Sequence, residues 1–172
     1  LATSLEAEIQ KRQQEEQRRE ALEKALAGPL AAGRVTLDNG KIGISGNVLF
    51  AHNSDQLQPE GKQLLQTLVQ PITAYLGASD QILMISGFTD DMPVRDNNRK
   101  FADNWQLSAQ RALTVTRTLI DEGVPSNAIF AAAFGAQQPV ADNADPEGRA
   151  RNRRVEMAPV PKSSTNGKAA ND

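Results

Sequence analysis

Apolar residues recur three and four positions apart at Leu64, Leu65, Leu68, Val69, Ile72 and Leu76. That spacing places them on one stripe of a helix, which the pattern predicts from Pro59 to about Leu76. Pro59 suits a first helical turn, where its missing N–H breaks no intrahelical bond. Pro71 falls inside the stripe and is expected to kink the helix. Ser54 or Asp55 is expected to cap a short turn just ahead of it. A second helical pattern, "WQLSAQRALTVTRTLIDEG", starts at Trp105, with Asn104 as its expected cap and Gly123 as its stop. Its expected buried face consists of Ala109, Ala112, Leu113, Thr116, Leu119 and Ile120.

Elsewhere the period is two. "RVTLDNGKIGIS", residues 34–45, alternates on both sides of Asn39-Gly40, and an Asn-Gly pair supplies the positive φ angles of a two-residue hairpin turn. "QILMIS", residues 81–86, does not alternate and reads as a strand buried on both faces. "AIFAAAFG" and "RRVEMAPV" read as two further strands. A long polar loop, residues 88 to 104, precedes the second helix. Strands alternating with helices in this way imply an α+β fold, with two helices packed on one face of a mixed sheet.

The two ends differ from this middle. Residues 1–27 contain no Gly or Pro and carry Glu8/Arg12, Glu15/Arg19 and Glu20/Lys24 at helical i,i+4 spacing with the acid first. A heptad can be drawn through Leu1, Glu8, Glu15 and Leu22 and through Leu5, Arg12, Arg19 and Leu26. Its seam is apolar at the ends and charged in the middle, so a weak coiled coil and a solvated connecting helix both fit. Gly28-Pro29 is expected to stop this helix. The chain opens on Leu1 within the helical pattern, which raises the expectation of a further segment upstream. Residues 161–172, "PKSSTNGKAAND", have the composition of a disordered tail. The expected organisation is a charged helix over 1–27, a globular domain over 34–160 and a tail.

Composition narrows the chemistry. Apolar residues make up 39% of the 172, and the deficit is concentrated at the ends, so the middle can bury a core. A net charge of −2 argues against bulk attraction to nucleic acid or anionic lipid. There are no cysteines, which excludes disulfides and thiolate chemistry. No run approaches the roughly 18 apolar residues of a membrane-spanning helix.

The single histidine, His52, reads as a polar residue after a strand, without a base or nucleophile paired to it in sequence. No phosphate-cradling loop motif occurs. Asp90, Asp91, Asp96 and Asp103 offer oxygen ligands, but their spacing is not that of a calcium loop, and Arg95, Arg99 and Lys100 lie among them. "GRARNRR", residues 148–154, is basic, and arginines leading into a strand commonly meet carboxylates or an anionic ligand. Asp90 directly follows a buried strand, and Arg111 lies within the first two turns of the next helix, where a cation is disfavoured by the dipole. The two residues are either a structural ion pair or the two ends of a site for a small zwitterion. In the second case the carboxylate takes an ammonium and the guanidinium clasps a carboxylate.

Four stretches occur in one order: "VLFAHNSDQLQPEG", "FTDD…NWQLSAQRA", "FGAQQP" and "GRARNRRVEM". Through them, residues 46 to 158 resemble the OmpA-like C-terminal domain, the peptidoglycan-binding module of Gram-negative envelopes. Pro93, the loop after it and "NWQLS" are most similar to the MotB, or stator-protein, type. The resemblance implies a β-α-β-α-β core and a groove for the stem peptide of peptidoglycan. It implies that Asp90 meets the ammonium of diaminopimelate and that Arg111 clasps a carboxylate of the same residue. It also places Asn104 and Arg153 along the groove and has Thr89 and Leu107 shape its wall. Phe88 stands where the family usually has histidine, and is expected either to alter the groove floor or to exchange one packed ring for another. "FGAQQP" keeps only Gly135 of a glycine-rich turn.

The function so implied is non-enzymatic and needs no cofactor. The chain would anchor a membrane complex to the cell wall from the periplasm. It would do so as a homodimer, tethered through an upstream segment to a MotA-like partner in the inner membrane, with no role for nucleic acid. Rival functions are an interaction protein of the same fold whose groove has lost its ligand, and an outer-membrane lipoprotein-type anchor. A cell-wall hydrolase fits least, because neither a metal triad nor a nucleophile–base pair is visible.

Overall fold

The structure, a computed structural model, describes residues 2–38, 40–77, 80–94 and 100–162. Five strands form one mixed sheet: β1 (Val35–Asp38), β2 (Lys41–Ser45), β3 (Gln81–Phe88), β4 (Ile129–Gly135) and β5 (Arg154–Pro161). Their order is β1-β2-β5-β3-β4, and every pairing is antiparallel except β3 with β4. The β1–β2 hairpin closes with Asp38 opposite Lys41, and Gly40 has a φ of +81°. Asn39 lies outside the described residues. So do 95–99, which held part of the acidic loop, and 163–172 of the expected tail. Pro161 pairs with Gln81 and belongs to β5, so the sheet takes one residue that composition had given to the tail.

Helices α1 (Ala2–Ala25), α2 (Ala27–Ala31), α3 (Gly46–Leu49), α4 (Pro59–Gly77), α5 (Asn104–Asp121) and α6 (Pro146–Asn152) complete the chain. All six residues of the α4 stripe are buried, and Pro71 lies inside the helix. The buried face of α5 is turned relative to expectation. Ala112, Thr116 and Leu119 are buried, but Leu107, Ser108, Arg111 and Val115 replace Ala109, Leu113 and Ile120. The cause is a close approach to β3: a Cβ on Gly87 would stand 2.2 Å from the Ser108 carbonyl oxygen, so only glycine admits this orientation. The cap of α5 is Asp103, whose Oδ1 accepts the Gln106 N–H at 2.8 Å, and Asn104 is the first helical residue.

Ile42, Ile44, Leu83, Ile85, Val155 and Met157 point from the sheet into one core with Leu65, Leu68, Ile72, Val115 and Leu119 of α4 and α5. Each such side chain contributes about 1.5–3 kcal/mol by leaving water. Leu22 and Leu26 join this core at 5% and 0% exposure, whereas Leu5 and Ile9 of the same helix are exposed. The last turn of α1 is therefore packed into the globular part. The helical path does not stop at Gly28-Pro29. It breaks after α1 and resumes as α2, with Pro29 in a first turn that tolerates it. No helix among the described residues is long and apolar enough to cross a membrane.

Candidate functional site

β3 delivers the central acid. Its pairing with β4 shifts register between Gly87 and Phe88, and Thr89 continues the strand by donating its N–H to the Gly135 carbonyl at 2.8 Å. Gly135 has a φ of +58°, and a Cβ there would meet the Trp105 ring at 3.3 Å. Asp90 follows and is buried. Its Oδ1 accepts the Met92 N–H at 3.0 Å, a local turn that fixes the carboxylate. Asn104 ties the start of α5 to this turn, donating from Nδ2 to the carbonyls of Met92 (3.0 Å) and Asp90 (3.4 Å).

Arg111, eight residues into α5, is 6% exposed. It lies too deep in the helix for the dipole to govern it, because that effect fades within the first turn. Its surroundings decide its state. Nε donates to the Ser54 carbonyl at 2.9 Å, one terminal nitrogen reaches the Ala51 carbonyl at 3.5 Å, and the guanidinium lies 5.0 Å from the centre of the Phe50 ring. Among the described residues no carboxylate forms an ion pair with it. Burial lowers its pKa below the usual arginine value to about 10, and the Arg153 charge pushes the same way against Asp55 and Asp90. Arg111 thus stays cationic at neutral pH at an energetic penalty that an anion would relieve.

The ion pair weighed between Asp90 and Arg111 is not formed. Asp90 pairs instead with Arg153, whose Nη1 donates to Oδ2 at 2.6 Å. Arg153 reaches this point because α6 precedes β5. Seven residues are too few to show a helical period, but the start of the helix carries a local signal: Asp145 as cap, accepting the Gly148 N–H at 2.6 Å, and Pro146 at the first position. Asn152, fully buried, fastens the helix end by accepting from the N–H groups of Val140 and Ala141 at 2.8 and 2.9 Å.

All six residues singled out from sequence line one cavity of about 260 Å³: Thr89, Asp90, Asn104, Leu107, Arg111 and Arg153. His52, Asn53, Met92, Pro93, Val94 and Arg149 line it too, and the sequence motifs do not point to them as site residues. They come from loops and from α6, where no periodic signal exists. Phe88 is absent from the cavity wall. It points to the other face of the sheet, stacked on Phe134 (4.9 Å between ring centres) and covered by the Arg154 guanidinium at 3.8 Å. The structure therefore selects the packed-ring alternative for Phe88. A larger cavity of about 480 Å³ lies over that second face, but there Arg154 and Lys41 are already matched by Glu156, at 2.9 and 3.5 Å. Among the described residues no group of three His, Asp or Glu side chains is placed to hold a metal.

Fold and groove together define an OmpA-like α+β domain. The chain belongs to the OmpA family, whose model matches residues 49–153. Within it the chain is of the MotB type. It is 41% identical over 81 residues to Motility protein B of Bacillus subtilis, a match covering 46% of this chain and 30% of that protein. It superposes on the crystal structure of a putative MotB-like protein from Desulfovibrio vulgaris with a TM-score of 0.75 and 30% identity, covering 88% of this chain and 99% of that one. The cell wall anchor of the T6SS from Pseudomonas aeruginosa gives a TM-score of 0.70 and 31% identity, covering 83% and 97%. The chain spans 30% to 56% of the length of the first curated relatives it matches.

Proposed function

We propose that the domain binds the stem peptide of peptidoglycan noncovalently and thereby anchors a membrane complex to the cell wall. In this reading Asp90 accepts the ammonium of diaminopimelate, and Arg111 clasps a carboxylate of the same residue through parallel N–H bonds. Asn104 and Arg153 hold Asp90 and its turn in place, while Thr89 and Leu107 form the wall. The observation that carries the reading is Arg111: a buried guanidinium without a carboxylate partner among the described residues, opening on the same cavity as Asp90. Asp90 is engaged by Arg153 and Met92, but a carboxylate has about four lone-pair sites and can accept an ammonium as well.

In the same reading the anchor sits in the periplasm, tethered to a membrane-embedded, MotB-like stator complex with a MotA-like partner, and the likeness to Motility protein B and to the T6SS cell wall anchor supports the anchoring role. A homodimer suits that role. A single short peptide in one groove binds weakly, and two linked domains gain from effective concentration on a repetitive polymer. With Phe88 outside the cavity, no observation favours a groove that has lost its ligand.

Sedimentation with purified sacculi tests the reading. The wild-type chain is expected to pellet, and Asp90→Ala and Arg111→Ala to stay in solution while folded by circular dichroism. Pelleting of both variants at wild-type levels would overturn the assignment, and release of soluble muropeptides would point to hydrolysis instead.

A further inference from the structure

The charges around the groove are unequal: three guanidiniums, Arg111, Arg149 and Arg153, face one carboxylate, Asp90. Arg153 is matched with Asp90. Arg111 is left for one ligand carboxylate in the function proposed above, on which this inference rests. Arg149 remains. It lies within α6, Arg153 is the extended residue that follows the helix, and both line the cavity. One of its terminal nitrogens donates to the Asn143 carbonyl at 3.0 Å, a neutral acceptor that orients the group without cancelling its charge. Among the described residues it forms no ion pair. The segment that orients it is itself fixed, because Asn143 Oδ1 accepts from buried Asn152 Nδ2 at 2.7 Å and the same amide donates to the Ala141 carbonyl at 3.0 Å. A guanidinium has five N–H groups, and Arg149 keeps most of them for another partner.

We propose that Arg149 reads a second carboxylate of the ligand, so that the groove selects peptides carrying one ammonium and at least two free carboxylates. Arg111 and Arg149 then form two separate anion contacts with Asp90 as the cation contact, three points that fix the direction in which the peptide lies. Amidation of the second carboxylate, a change that leaves shape almost untouched, becomes a way to weaken anchoring.

The test uses isothermal titration calorimetry of the full chain with the N-acetylated tripeptide L-Ala–γ-D-Glu–meso-diaminopimelate and its three monoamides. With the wild-type chain, two of the monoamides are expected to bind about tenfold more weakly than the parent, the loss of one charge-assisted contact each. With Arg149→Gln the parent itself binds about tenfold more weakly, and only one monoamide is weakened further. The inference is overturned if a single monoamide is weaker on the wild-type chain, a result that does not depend on how the variant folds. It is equally overturned if Arg149→Gln binds all four peptides with wild-type affinity. A chain that pellets with sacculi but binds none of the peptides sinks this inference alone. Failure to do either removes the peptidoglycan reading with it.

Discussion

Arg111 and Arg154 are two largely buried guanidiniums on opposite faces of one sheet, and their surroundings differ in a single decisive respect. Arg154 is matched internally: Nε donates to Glu156 at 2.9 Å, the terminal nitrogens donate to the carbonyls of Asn152 and Gln138 at 3.0 Å each, and the Phe88 ring lies 3.8 Å away. Arg111 has carbonyls and a ring as well, but no carboxylate among the described residues. A buried charge answered inside the protein belongs to the scaffold. One left for a counter-ion from outside belongs to a site, because burying an uncompensated charge is unfavourable until that counter-ion arrives.

The largest expected effect separates the two arginines by binding. Arg111→Met removes the ligand contact and should weaken sacculus binding by about a hundredfold, near 3 kcal/mol for a truncated charge-assisted contact. Its melting temperature should hold or rise, since an unpaired buried charge leaves with it. Arg154→Met should do the reverse. Thermal or urea unfolding should show a loss of about 2 kcal/mol as Glu156 and two carbonyls lose their donor, while sedimentation with sacculi stays at the wild-type level. If Arg154→Met lost binding and kept its stability, the division into scaffold and site would collapse.

Phe88→His sharpens the comparison on the scaffold side. It should reduce stability by about 1 kcal/mol, the order of an aromatic stacking contribution, and leave binding unchanged. An altered affinity would return Phe88 to the groove. A smaller effect still concerns pH. Folding lowers the pKa of Arg111, so the penalty on its charged form is present at every pH below about 10 and is relieved above it. The Arg111 contribution to binding should therefore be flat from pH 7 to 9 and decline only above about pH 10, which sedimentation across that range would check.

Much of this architecture was legible because it rests on period. The α4 stripe, the hairpin about Gly40 and the three other strand runs each carry a local signal, and the groove residues sit in short motifs beside them. What was not legible is tertiary. The turn of α5 that buries Val115 and Arg111 is set by the Gly87–Ser108 approach, a contact between residues 21 positions apart. The partner of Asp90 is Arg153, 63 residues away, and the charge logic of the chain alone pointed to Arg111. Arg149 and His52 face the cavity from segments without periodicity. Asp145-Pro146 was the one available hint to α6, and so to Arg149 and Arg153, since a capping residue followed by proline marks a helix start even when the helix is short.

The contrast between the two arginines can be read directly from their side-chain Nε–H signals by ¹H–¹⁵N NMR during titration with the N-acetylated diaminopimelate tripeptide. The Arg111 signal should shift progressively to saturation as a carboxylate arrives, while the Arg154 signal stays where it is. A titration in which Arg154 shifts and Arg111 does not would contradict the assignment of the groove.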